Sequence, residues 1–269
     1  MKRAPFSLVY FSTKPWRIAD AVAAGIDTVI VDCETLGKED RQAGADTQIN
    51  HNTMDDLHRV RQANTQGRVA CRINRFHEST AREVEEALAA GADEIFLPMV
   101  RTVSEVESTL RLVAGRCALS ILVETTAAVA CSHRLARLPV SRVYMGLNDL
   151  AIDRGSENIF DSVADGTVEQ VRREFSVPVG FGGLTLPDLG SPVPARLLIG
   201  EMARLDCSFS FLRRSFDRDT AGLRLQPLVP RIRAALLHAS ARSALEVYRD
   251  HEQFLGAVTS CHAMVGGRV

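Results

Sequence analysis

A (β/α)8 barrel is the fold this sequence predicts, and three observations carry the prediction. Eight short apolar runs alternate with amphipathic segments, a helix-ending motif recurs ahead of two of those runs, and no glycine-rich phosphate loop follows the first of them. The apolar or β-branched runs are residues 7–11, 28–32, 68–73, 94–98, 119–124, 142–145, 179–182 and 208–213. Between them, 3.6-residue periodicity predicts helices over 53–63, 80–90, 103–113, 126–135, 168–175 and 194–205, with one long helix from about residue 228 onward. Regular alternation requires parallel strands, because parallel neighbours are joined only through a crossover segment.

The recurring motif is AVAAGIDTVIVDCE around Gly25 and ALAAGADEIFLPMV around Gly91. Each reads as a helix end, a glycine suited to the left-handed position after it, an aspartate and then a buried strand. A doubly wound open sheet shares the alternation but more often carries a phosphate loop after its first strand, so the closed barrel is preferred. The stretch from Gly182 to Leu198, GGLTLPDLGSPVPARLL, falls between the seventh strand and its helix and reads as a long loop over the active site. No linker divides the chain, so residues 1–269 are read as one domain.

Composition narrows the function. The 269 residues are 46% hydrophobic with a formal net charge of -1, and charges of both signs are interleaved throughout. That pattern argues against nucleic acid, membrane surface or a polyanion as partner and favours a small, locally recognised substrate. The N-terminal segment has no signal-peptide core, and no apolar run has the ~18 residues of a membrane span, so a cytoplasmic protein is expected. The six cysteines are scattered singly and read as buried small hydrophobes, with Cys33 excepted because it stands between two acids of the candidate site.

In such barrels chemistry sits at the carboxyl ends of the strands. Reading those ends gives Asp32 and Glu34, Arg72 and Asn74, Glu124, Asn148 and Asp149, and Arg213 and Arg214. Glu124 closes SILVE and Asp149 follows VYMGLN, so two neighbouring strands would aim two carboxylates at one point. Two hard oxygen ligands suit Mg2+ or Mn2+. The alternative is that each acid merely favours the first turn of a helix. Arg72 ends an apolar strand and needs an anionic partner, either a substrate oxygen or Asp32 or Glu34 in a structural bridge. Asp32 and Glu34 share one face by period-two spacing and either orient Arg72 or hold water. Of Arg213 and Arg214 only one can point inward, and Arg213, with Asn74 and Asn148, is assigned to substrate. His51 and His77 read as loop residues before bases.

The ordered set VIVDCE, CRIN, ADEIFLPMV, ILVET and MGLNDLA resembles the superfamily of metal-dependent 2-oxo-acid aldolases and citrate-lyase beta subunits. The resemblance implies a homo-oligomeric barrel with Mg2+ or Mn2+ on Glu124 and Asp149. It also implies that Arg72 stabilises an enolate during cleavage or formation of a carbon-carbon bond in a small carboxylated substrate; Asp32 and Glu34, read from strand spacing as orienting Arg72, complete the expected catalytic set. One position departs from it: the aldolase branch usually has histidine, and the lyase branch aspartate, where this chain has Thr35. The base is therefore unassigned, with metal-bound water the candidate. Two further readings stay open, an acyl-thioester lyase or hydrolase using the same enolate chemistry and a non-catalytic ligand-binding barrel.

Overall fold

Runs such as TVIVD and EIFL are apolar on successive residues, so both faces of the strands they form must be covered. The computed structural model describes residues 5–37 and 52–266, with side chains as far as Cys261. It contains β1 (Ser7–Phe11), β2 (Thr28–Asp32), β3 (Arg68–Arg72), β4 (Glu94–Leu97), β5 (Ala118–Val123), β6 (Val143–Met145), β7 (Val179–Phe181) and β8 (Phe209–Leu212). These pair in sequence order, all parallel, and β8 returns to β1 to close the barrel. Closure leaves no sheet edge and buries every strand between an inner filling and an outer ring of helices.

Local signals start the helices where the strands' crossovers need them. Thr53 and Thr102 each cap a helix, and Asp56 and Glu105 complete the reciprocal bonds. Gly25 and Gly91 have φ of 94° and 92°, the left-handed turn that the repeated motif requires. The expected helix from about residue 228 is two helices, Val229–Ser240 and Ala244–Gly266. The apolar period runs through the break, but Ser243 and Glu246 bond each other's backbone and side-chain groups and so begin a new helix. The helix expected over 126–135 is likewise interrupted at Cys131. Pro15–Ala23, Leu147–Arg154, Asp161–Ala164 and Arg214–Asp219 are helices that the periodicity does not mark. No helix of the described residues is long and apolar enough to cross a membrane.

Alternate strand residues fill the barrel. Val9, Phe11, Ile30, Ala70, Phe96, Leu122, Tyr144, Phe209 and Phe211 form the inner cluster. The intervening residues pack against the helices. Gly180 is dictated by this packing, because a Cβ there would stand 1.9 Å from the Phe209 carbonyl oxygen.

Beneath the aromatic layer the fully buried Glu94 closes the amino-terminal end. It accepts from Ser120 at 2.5 Å and lies 3.2 Å from Arg142 and 3.4 Å from Arg68. Buried charge needs such partners, and their mutual satisfaction seals this end. Polar groups at the opposite end remain for chemistry.

Candidate active site

Period-two alternation carries the inner cluster directly into the site. Asp32 follows Ile30, Arg72 follows Ala70, Glu124 follows Leu122 and Arg213 follows Phe211, each two residues beyond a side chain that fills the barrel. All four therefore emerge inward at the carboxyl end. Asp149 arrives differently, from the first turn of the helix Leu147–Arg154 that follows β6.

Glu124 and Asp149 are both buried, and both line a cavity of about 160 Å3. One Glu124 oxygen accepts from the Met99 amide at 2.8 Å. Met99 presents that N–H from the left-handed region, at φ 53°, a conformation that a non-glycine residue rarely adopts. The other oxygen lies over Gly146, where a Cβ would stand 2.1 Å from it. The glycine of MGLNDL is thus the floor on which this carboxylate rests. Burial pushes the Glu124 carboxyl up to about 8, the Asp149 and Glu34 charges add to the rise, and Arg72 opposes it.

Two buried carboxylates lining one cleft have the donor chemistry of a site for a hard divalent cation. Among the described residues no three His, Cys, Asp or Glu side chains gather as a cage. Among the described residues an ion at this place would rest on Glu124 and Asp149, with other positions left for substrate and water, as Mg2+ commonly requires. Gly146→Ala tests the floor: the added methyl must displace the carboxylate, and calorimetry should find Mn2+ affinity weakened at least about tenfold while the circular dichroism spectrum is retained.

Arg72 is clamped from behind. Its Nε and Nη2 donate to the two oxygens of Asp32 at 2.8 Å each, and Glu34 stands 3.4 Å from Nη2. Burial disfavours its charge, but Asp32, Glu34 and Glu124 outweigh that and hold its pKa well above the ordinary arginine value. Nη1 has no acceptor among the described residues, and the side chain borders the cavity. Arg213 donates to the same Asp32 at 2.6 Å and lies 4.7 Å over the Phe11 ring. Burial, followed by the Arg72 charge, pushes its pKa down to about 10. Asp32 also borders a second cavity, of about 450 Å3, beside Tyr10, Lys14 and Trp16, so the Asp32–Arg72 pair forms a wall between the two spaces.

The other expected residues occupy distinct places. Asn148 lines the acid-bearing cavity, and its buried Nδ2 has no acceptor among the described residues. Asn74 accepts from the Thr35 and Leu36 amides at 2.8 and 2.7 Å and donates to Glu83 at 2.7 Å. It thereby pins the loop after β2, and it is not among the residues lining the cavity. His77 joins the same Glu83 at 3.0 Å. His51 lies outside the described residues. Cys33 packs in the outer layer beside the Cys71 thiol, facing the helices instead of the cavity.

The sequence reading missed Tyr144 and Ser215 as cavity walls. Tyr144 lies two residues before Gly146 on a strand of three residues, too short for alternation to separate an inward from an outward side chain. The long loop from Gly182 does wall the cavity, through Gly183, Leu184, Gly190, Ser191 and Val193.

The sequence model of the HpcH/HpaI aldolase/citrate lyase family matches residues 7–163, more than half of the chain. That span holds β1 to β6, with Asp32, Arg72, Glu124 and Asp149. Among solved structures, that titled citrate synthase SbnG is similar at a TM-score of 0.58 and 15% identity, covering 77% of this chain and 85% of its own. RipC from Yersinia pestis is similar at a TM-score of 0.57 and 14% identity, covering 91% of this chain and 100% of its own. At these identities the likeness is one of fold. No curated protein matches the chain at a significant level.

Proposed function

Because this chain belongs to the HpcH/HpaI aldolase/citrate lyase family, we propose that it is a divalent-metal-dependent carbon-carbon lyase working through the enolate of a small 2-oxo acid. The observation that carries the reading is the pair of buried carboxylates, Glu124 and Asp149, lining one small cavity together with Arg72. Glu124 and Asp149 would hold Mg2+ or Mn2+, which when bound supplies Lewis-acid polarisation of the substrate's carboxylate and keto oxygens.

The chain's own side chains do the rest. Asp32 fixes the plane of the Arg72 fork through two parallel hydrogen bonds, and Glu34 adds a second negative neighbour. The remaining Nη1 faces the place where negative charge develops on the keto oxygen. A pre-oriented donor stabilises that charge without reorganising. Arg213, which shares Asp32, and Asn148, with its unfilled donor, orient the rest of the substrate. Among the described residues no histidine lines the cavity, and Thr35 is exposed on the loop that Asn74 holds; in the proposed reaction the proton is exchanged with a carboxylate or with solvent.

Solvent deuterium exchange tests the proposal at its first step. Proton NMR should show loss of the pyruvate methyl signal in D2O with Mg2+ or Mn2+ present, and no loss when a chelator replaces the ion. Absence of exchange into pyruvate, 2-oxobutyrate and oxaloacetate would remove the lyase reading. If calorimetry still detected cation binding in that event, the barrel would be a ligand-binding one.

A further inference from the structure

We infer that Tyr144 is a catalytic residue of the carbon-carbon bond step, its phenol donating a hydrogen bond to the carbonyl oxygen of an aldehyde acceptor in the cavity that Glu124 and Arg72 line; the inference rests on the lyase reading above.

The contrast with Tyr10 points to it. The Tyr10 hydroxyl is fully engaged, donating to Asp217 at 2.8 Å and accepting from Arg17 at 3.2 Å. Tyr144 is also buried, only 8% exposed, yet its hydroxyl has no hydrogen-bond partner among the described residues. A buried phenol normally finds a partner, and an exception at a cavity wall indicates one that arrives with the ligand. The space in front of the hydroxyl is kept open by glycine: a Cβ on Gly182 would stand 2.7 Å from it. The ring itself is fixed, stacked on Phe211 with centroids 3.7 Å apart and planes 17° apart. The oxygen is therefore held at a defined point on the wall.

Its place across the barrel says which oxygen it serves. Tyr144 is on β6 and Arg72 on β3, three strands apart in a ring of eight. A substrate between them that turns its enolate oxygen to Arg72 presents its reacting carbon, and any acceptor, toward Tyr144 and Gly182. Burial pushes the Tyr144 pKa above the ordinary phenol range, so the group remains a neutral donor and not a base. In condensation the enolate carbon forms a bond to the aldehyde carbon and the carbonyl π pair moves onto oxygen. That oxygen is held by the Tyr144 hydrogen bond and takes its proton from solvent water, while Tyr144 keeps its own. Cleavage runs the same steps in reverse.

Tyr144→Phe keeps the stacked ring and removes only the oxygen. With Mn2+ present, two rates are measured for wild type and variant: deuterium exchange into pyruvate, and condensation of pyruvate with glycolaldehyde, acetaldehyde or glyoxylate. The expected result is that kcat/KM for condensation falls about 100-fold more than the exchange rate does, in line with the loss of one transition-state donor. Gly182→Ala, which crowds the hydroxyl without removing it, should show the same selective loss. A tyrosine difference spectrum on adding glycolaldehyde reads the contact without turnover. With three tyrosines in the chain, it should be present in wild type and lost in Tyr144→Phe. Equal losses of both rates, no loss of either, a wild type that exchanges deuterium but condenses with none of the aldehydes, or no difference spectrum in wild type would each overturn the role. A wild type without exchange fails one step earlier and removes the lyase reading itself.

Discussion

Glu124→Gln is expected to abolish calorimetric binding of Mn2+ and to lower metal-dependent exchange into pyruvate by at least about 1000-fold, with the fold retained. The substitution is nearly isosteric, and its amide oxygen can still accept from the Met99 N–H that now holds the carboxylate at 2.8 Å. What it lacks is charge. In protein stripped of divalent ions this lack is favourable, because burial and the neighbouring acids raise the Glu124 carboxyl to about 8. A carboxyl whose pKa is higher folded than unfolded opposes folding as pH climbs above the ordinary carboxylate range, and the opposition is complete once pH passes the folded value. The ion-free variant should therefore melt at the wild-type temperature near pH 4. It should melt progressively higher than wild type up to about pH 8, where the difference in unfolding free energy is on the order of a few kcal/mol. Adding Mn2+ should raise the wild-type Tm and leave the variant unmoved, since only an ion bound to the folded state stabilises it. Unaltered affinity in the variant would take Glu124 out of the site.

Much of this arrangement is legible in the sequence because the side-chain period of a strand is two. Once Leu122 is inside, Glu124 must be inside, and the same step carries Ile30 to Asp32, Ala70 to Arg72 and Phe211 to Arg213. By that rule Cys33, one residue beyond Asp32, had to face the helices, as it does. Its acidic neighbours in sequence are a misleading guide, because they lie on the opposite face of the strand. The rule fails where the backbone stops being extended. Asn74 lies beyond β3, and the carboxamide that strand spacing assigned to substrate bonds two loop amides and Glu83. Tyr144 is indistinguishable in sequence from an aromatic core residue, and the absence of a partner for its hydroxyl among the described residues sets it apart from Tyr10. The sealed floor at Glu94 was missed for a related reason: a buried acid at a strand's start draws Arg142 and Arg68 from other strands, and no local pattern records which strands are neighbours. The two C-terminal helices show the opposite failure. The apolar period runs unbroken across residues 241–243, and the short-range bonds between Ser243 and Glu246 decide the break.

Arg72→Lys is expected to leave Mn2+ affinity within about threefold of wild type while kcat for exchange and cleavage falls on the order of 100-fold or more. The guanidinium meets Asp32 through two parallel bonds and still has Nη1 to offer the cavity. An ammonium is a point charge: held by Asp32 and Glu34, it is drawn back toward them and no longer reaches across to a keto oxygen; released, it gives up both bonds to Asp32, and Arg213 keeps its own. Either way the ground-state complex on Glu124 and Asp149 survives and the developing enolate charge loses its donor. KM for pyruvate should therefore move little compared with kcat, the signature of an interaction made chiefly in the transition state. Because Asp32 is fully buried, losing one of its two parallel bonds should also cost about 1–3 kcal/mol of stability in urea unfolding. Equal kcat in the variant would reduce Arg72 to the structural partner of Asp32. A fall in cation affinity matching the fall in kcat would mean that the guanidinium acts through Glu124 and not on the substrate.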